Sequence, residues 1–341
     1  MSFDPEPRPS ATSVQPRPLW RRVLAWRPRL RGSTGAGATP RRRWRWWLLI
    51  PVVPLLYYTI GMLVVHTIDD NLDFRPQNVA PGESRAVAVA AALVTREVDQ
   101  HRWVASDPFF LPAWALDNMP NFQMGIMAAV ARFTTELKDQ LGRTRGSSQI
   151  DHDLQDAAGQ FQFRGDRWIW DPSISIWPSA TSAQQYRAGY RSLINYNKRL
   201  AAGQATYDRR ADNLQFILDR FAGDLGSESA RLEQHVQQHG GDLFDMQCDD
   251  IFYSVKGRLY GQFILLREIG EDFKTVITDR QLTASWAQML ESFRAAAHLQ
   301  PPVVINGRPD STVLPSHLAS QGFYLMRART QLREIVDILQ K

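Results

Sequence analysis

The chain has 341 residues, 44% of them apolar and 22% charged, which excludes a wholly disordered or collagen-like polymer. One cysteine, Cys248, excludes an intramolecular disulfide and any cysteine-cluster zinc site. The net charge of +5 is unevenly placed: residues 1–45 carry eleven Arg against Asp4 and Glu6, a balance of +9, leaving −4 for the remainder.

That first segment is also rich in Pro, Gly, Ser and Thr and has too little apolar surface to offset chain entropy, so it reads as a disordered arm. From Leu48 to Ile68 there are 21 residues without a formal charge. A helix over them would span roughly 31 Å, the hydrocarbon thickness of a bilayer. Trp44, Trp46 and Trp47 stand at its N-terminal edge among Arg41, Arg42, Arg43 and Arg45, the residue types that anchor a span at the headgroups. Asp69, Asp70 and Asp73 follow it. This pattern predicts a transmembrane helix over 46–68 with a cytoplasmic arm before it and the rest of the chain outside. A buried core helix leaves the Trp/Arg edge unexplained, and a cleaved signal lacks the small residues its site needs. The arm is expected to meet anionic lipid headgroups; no nucleic-acid-binding fold accompanies it.

Residues 69–83 read as an extended linker, with Pro76 and Pro81 opposing a helix. A helical domain is expected over 84–341. The first helix covers Ser84–Gln100, and the next lies within 117–141, capped by Asn118 or Asn121, with Met124, Met127, Val130, Phe133 and Leu137 on one face. A shorter helix falls within 147–163. The interval 164–180 reads as an aromatic loop with a short strand pair, its Trp168, Trp170 and Trp177 suited to a ligand or a partner.

From Thr181 onward, Leu193, Leu200, Tyr207, Leu214 and Phe221 recur every seven residues, accompanied by Tyr190, Asn197, Gln204, Ala211, Leu218, Leu225 and Leu232. Steps of three and four make a coiled-coil seam, packing either within the domain or against a second copy. Gly223 and Gly226 suggest a break near 223–228. Helices are expected over 249–273, 279–299 and 315–340, the last two separated by a loop with a turn at Asn306–Gly307. The predicted fold class is mainly α: one transmembrane helix followed by a large extracytoplasmic helical bundle.

Catalytic signatures are absent: no phosphate-cradling loop, dinucleotide fingerprint, HExxH pair or serine elbow occurs. His235 and His239 stand one helical turn apart near Asp242 and Asp245, a weak metal pattern, and Asp249–Asp250 fit a helix start better than a catalytic pair. No cofactor and no catalytic residue is therefore expected.

Four strings, DNMPNFQ at 117–123, FQFRGDRW at 161–168, YDRRADNL at 207–214 and QGFYLMRA at 321–328, make the chain similar to an uncharacterised family of proteobacterial single-pass inner-membrane proteins. The resemblance implies a bacterial envelope location and supplies no activity. The expected role is a non-enzymatic envelope scaffold or docking protein, acting on an envelope partner or as a homo-oligomer. The alternative is a periplasmic sensor of a small molecule or cell-wall fragment.

Overall fold

The computed structural model describes residues 49–141, 150–170, 176–242, 245–311 and 314–341. The chain divides into two units, Met1–Pro51 and Val52–Lys341. The first is described only over residues 49–51, so the basic arm lies outside the described residues.

The helices are α1 (Leu49–Val65), α2 (Arg85–Thr95), α3 (Asn118–Glu136), α4 (His152–Phe161) and α5 (Ser182–Ala201). There follow α6 (Ala211–His239), α7 (Cys248–Asp272), α8 (Lys274–Asp279), α9 (Thr283–Ala297) and α10 (His317–Leu339). No strand occurs among the described residues; an antiparallel bridge joins Asn306 to Ser316. The fold is mainly α, as the periodicity predicts.

Local chemistry sets the helix starts. Ser84 accepts from the Val87 amide, Thr181 forms a reciprocal capping box with Gln184, and Ser316 accepts from the Ala319 amide. The cap of α3 is Asp117 rather than either asparagine. Single π-helical turns, Arg96–Gln100 and Leu137–Leu141, extend α2 and α3. Such turns rotate the following side chains off the α-helical register, and the first brings Arg96 and Glu97 into the interior, 2% and 1% exposed.

Helix α7 is the centre of the bundle, packed against α2, α3 and α9 and touching α10. Every residue from Leu259 to Leu266 is buried, so this helix is covered on all sides and has no solvent face there. Three glycines allow its closest contact. A Cβ at Gly257 would lie 2.1 Å from the Phe122 carbonyl oxygen, and one at Gly125 2.2 Å from that of Ser254, so the α3 and α7 backbones touch. A Cβ at Gly261 would press on Ala129.

Two helix expectations need correction. The heptad series is not one helix: α5 ends at Ala201 and α6 begins at Ala211. Gly203 (φ 70°) takes a left-handed turn in the intervening loop, which holds Tyr207, and α6 runs unbroken through Gly223 and Gly226. The helix expected over 279–299 starts later, after a left-handed residue, Gln281 (φ 55°), separates α8 from α9. Among the described residues no helix is long and apolar enough to cross a membrane; α1 has 17 residues with Pro54 inside, and residues 46–48 of the expected span lie outside the described residues.

Candidate functional site

A dense polar construction lies where the segment after α1 meets the bundle. Residues 66–83 form no helix, yet they are clasped along their length. The Lys256 ammonium donates to Asp70 Oδ2 at 2.6 Å, and Gln300 donates to the same oxygen at 2.8 Å. The Tyr260 hydroxyl donates to the Asn71 carbonyl at 2.9 Å. Arg267 donates to the Leu72 carbonyl at 2.7 Å and also to that of Phe74. Buried Arg96 reaches Asp69 at 3.3 Å, donates to Glu97 and to the Tyr260 hydroxyl, and stands over the Phe74 ring.

The Glu268 side chain is fully buried and collects Arg75 (3.3 Å), Arg85 (2.8 Å) and Arg267 (3.0 Å). Asp272 accepts from the Arg85 and Ala86 amides at the start of α2, and from the Ser84 and Tyr207 hydroxyls. A carboxylate at a helix N-terminus is favoured by the dipole and satisfies amides that lack a helical partner. Burial alone would raise the Asp70 carboxyl, but hydrogen bonds from Lys256 and Gln300 outweigh it and hold the group below its ordinary range. Burial likewise pulls Arg96 down, and Glu97, Tyr260 and Asp69 more than reverse it. Sequence reasoning places Arg96 and Glu97 within the helix expected over 84–100 and gives them no role. It passes over Lys256, Arg267 and Glu268, although charges within the apolar series of α7 were the available signal.

Behind this segment lies a cleft of about 350 Å³, lined by Phe74, Arg75 and Glu83 on one wall and Ala91, Leu193 and Asn197 on the other. On a different side, Asp117, Asp249 and Asp250 bring carboxylate oxygens within 4.8 Å of one another, and burial pushes the last two carboxyls up. Asp249 and Asp250 also occupy the first turn of α7, as expected.

Among the described residues, the histidine pair does not join a cluster of three or more ligands. His235 Nε2 meets Asp245 Oδ2 at 2.7 Å, while His239 Nδ1 meets Asp242 at 3.2 Å, and the two rings stack at 4.8 Å. Asp245 also takes the Asn306 amide, so these groups tie the 300–316 loop to the end of α6. Cys248 is buried, and desolvation by burial pushes its thiol up to about 12, which leaves little thiolate at neutral pH. Of the methionine face, Met127, Val130, Phe133 and Leu137 are buried, and Met124 turns outward.

The seam is consumed internally. Leu193, Leu214, Leu218, Phe221, Leu225 and Leu232 are buried, and Leu200 and Tyr207 pack against the same core. The six buried side chains offer no surface to a second copy, so at these positions the seam packs within the domain. Trp168 packs edge-to-face on Phe110 at 5.3 Å, and Trp170 donates from its indole to the Ile176 carbonyl at 3.2 Å. The 166–182 loop is held at its base by Ser179 to Ile169 and Ser182 to Arg167 backbone bonds, without a strand pair among its described residues. Trp170 and Trp177 project outward. Arg41, Arg42, Arg43, Arg45, Trp44, Trp46 and Trp47 lie outside the described residues.

No curated protein and no solved structure matches the chain. A family described as uncharacterized protein conserved in bacteria (DUF2333) matches residues 78–245 and 244–341, which takes in helices α2 to α10, the 78–83 end of the clasped segment and the 166–182 loop. With most of its length matched, the chain belongs to the DUF2333 family of uncharacterised bacterial proteins.

Proposed function

We propose that this is a single-pass protein of the proteobacterial inner membrane, with a cytoplasmic basic arm, a span within 46–68 and a periplasmic helical domain. The domain acts as a non-enzymatic scaffold or docking module for another envelope component. The observation that carries this reading is the clasp. An uncharged helix leads directly into a segment whose acidic side chains and carbonyls are fixed by Lys256, Tyr260, Arg267 and Arg96 of the domain. Fixing the junction of an anchor to its domain sets how the domain is presented above a bilayer, which serves docking. The arm's arginines would add about 1 kcal/mol each at an anionic leaflet.

Reporter fusions at residue 30 and at the C-terminus are expected to report cytoplasm and periplasm; the opposite pattern overturns the topology. Photo-crosslinking in cells from exposed Phe216 and Phe323 is expected to capture a defined envelope protein. Absence of any adduct, together with a monomer in detergent, overturns docking. The cleft beside Arg75 and Asn197 favours a second reading, a small-molecule or cell-wall-fragment sensor. It predicts that such a ligand raises the melting temperature of the full chain, and that Asn197→Ala reduces the rise.

A further inference from the structure

The large apolar side chains left exposed are concentrated on α1 and on two loops. Residues 108–116, PFFLPAWAL, carry no charge and expose Phe109 (68%), Phe110 and Trp114 (60%). The 166–182 loop exposes Ile169, Trp170, Ile176 (85%) and Trp177 (78%). The Phe110–Trp168 contact joins the two loops into one surface.

This surface is also joined to α1. The Tyr57 hydroxyl donates to the Phe110 carbonyl at 3.2 Å, and Tyr58 donates to the Phe109 carbonyl. Pro112 sits so close to Gly61 that a Cβ there would fall 2.3 Å from its ring. The short 3₁₀ turn Pro112–Ala115 then tucks Ala113 beneath Val104 and Met119, while Val65 and Leu116 pack over that cluster.

Irregular backbone is tolerated at membrane depth only where its carbonyls find partners within the protein. The two tyrosines supply such partners to Phe109 and Phe110. Indole rings favour the headgroup level and phenyl rings the acyl region. Asp107 and Asp117 flank the first loop; Asp107 is turned to Arg102 at 2.8 Å, and Asp117 accepts from the Asn118 amide at the start of α3. Tyr58 precedes the end of α1 at Val65 by seven residues, about 10 Å of helix, so the loop meets α1 well inside the uncharged run.

We infer that residues 108–116, with Ile169, Trp170, Ile176 and Trp177 beside them, form a second membrane contact: an aromatic platform that enters the outer leaflet of a phospholipid bilayer alongside α1. The platform holds the domain down on the lipid surface and fixes its rotation about the anchor. This rests on the reading of α1 as an anchor.

The test uses the full chain with Cys248→Ser, reconstituted in vesicles of phosphatidylethanolamine and phosphatidylglycerol. Nitroxides are attached singly through Leu55→Cys, Phe109→Cys, Trp114→Cys, Trp177→Cys and Phe323→Cys. Collision with oxygen, which concentrates in lipid, is compared with collision with a water-soluble nickel complex. Oxygen is expected to dominate at 55, 109, 114 and 177, and nickel at 323. Nickel dominance at 109, 114 and 177 with oxygen at 55 overturns the platform and leaves the anchor standing. Nickel dominance at 55 as well overturns both. Shielding of 109, 114 and 177 from both reagents means that a protein covers the surface, and this too overturns the platform.

Discussion

His317 lies at the first position of α10, where its ring closes the 300–316 loop. The Ile305 amide donates to His317 Nδ1 at 2.9 Å, and the His317 amide returns a bond to the Ile305 carbonyl at 2.9 Å. A ring nitrogen that accepts a hydrogen bond must be unprotonated, and partial burial also depresses the basicity of this imidazole. Its folded pKa is therefore below the ordinary value of about 6.5. In the window between the two values the unfolded chain holds more protons, so stability rises with pH there. The contribution is complete above about pH 6.5 and is lost as pH falls through the folded value. In His317→Asn the amide oxygen can accept the same bond without titrating. The variant's deficit against the parent, measured by melting temperature, is expected to shrink between about pH 7.5 and pH 5.5. A constant deficit would remove His317 as the source. Carboxylates held low by their partners, such as Asp70 and Asp245, act in a more acidic window and leave this difference unaffected.

At the scale of elements, packing between α3 and α7 decides more than local propensity. Gly257→Ala would drive a methyl group into the Phe122 carbonyl, a backbone atom that cannot rotate away, and is expected to cost about 1–3 kcal/mol or more. Gly223→Ala, in the middle of α6 with nothing within 4 Å of the added carbon, is expected to gain about 0.5–1 kcal/mol. Chemical denaturation of the two variants side by side checks the sign of each, and equal effects would contradict the packing. The same glycines show what was legible in sequence. Helix existence follows from apolar spacing, and α2, α7 and α10 fall within one or two residues of their expected starts. Gly223 and Gly226 mark a break in sequence because each weakens a helix, but burial of Leu218, Phe221 and Leu225 holds α6 together through them. The true break escapes notice because Tyr207, in a loop, keeps the seven-residue register while packing on Phe273 and bonding Asp272. Periodicity records burial, and a loop residue can be buried in phase.

For the whole molecule, the decisive feature joins residues nearly two hundred positions apart, a distance no local pattern spans. Asp69 and Asp70 read in sequence as the charges that end an uncharged run, which is legible; their partners Lys256 and Arg96 are visible only once α7 and the π turn are placed. The Lys256 side chain is 3% exposed and its pair with Asp70 is correspondingly little screened. Lys256→Met removes the ammonium and leaves Asp70 with Gln300 as its remaining side-chain partner, at a cost of about 1.5–3 kcal/mol. Because the penalty comes from an unpaired carboxylate, Asp70→Asn added to Lys256→Met is expected to recover part of it, a coupling read from the four-variant cycle. The consequence for α1 is mechanical. Loosening Asp70 also slackens the Asn71 and Leu72 carbonyls held by Tyr260 and Arg267, so residues 66–80 should open to proteinase K before the bundle does. In detergent-solubilised full-length chain, Lys256→Met is expected to release a fragment beginning within 66–80 faster than the parent, with helical content by circular dichroism unchanged. Equal cleavage rates would mean that Arg267 and Glu268 alone hold the segment, and that the Lys256–Asp70 pair does not couple α1 to the rest of the bundle.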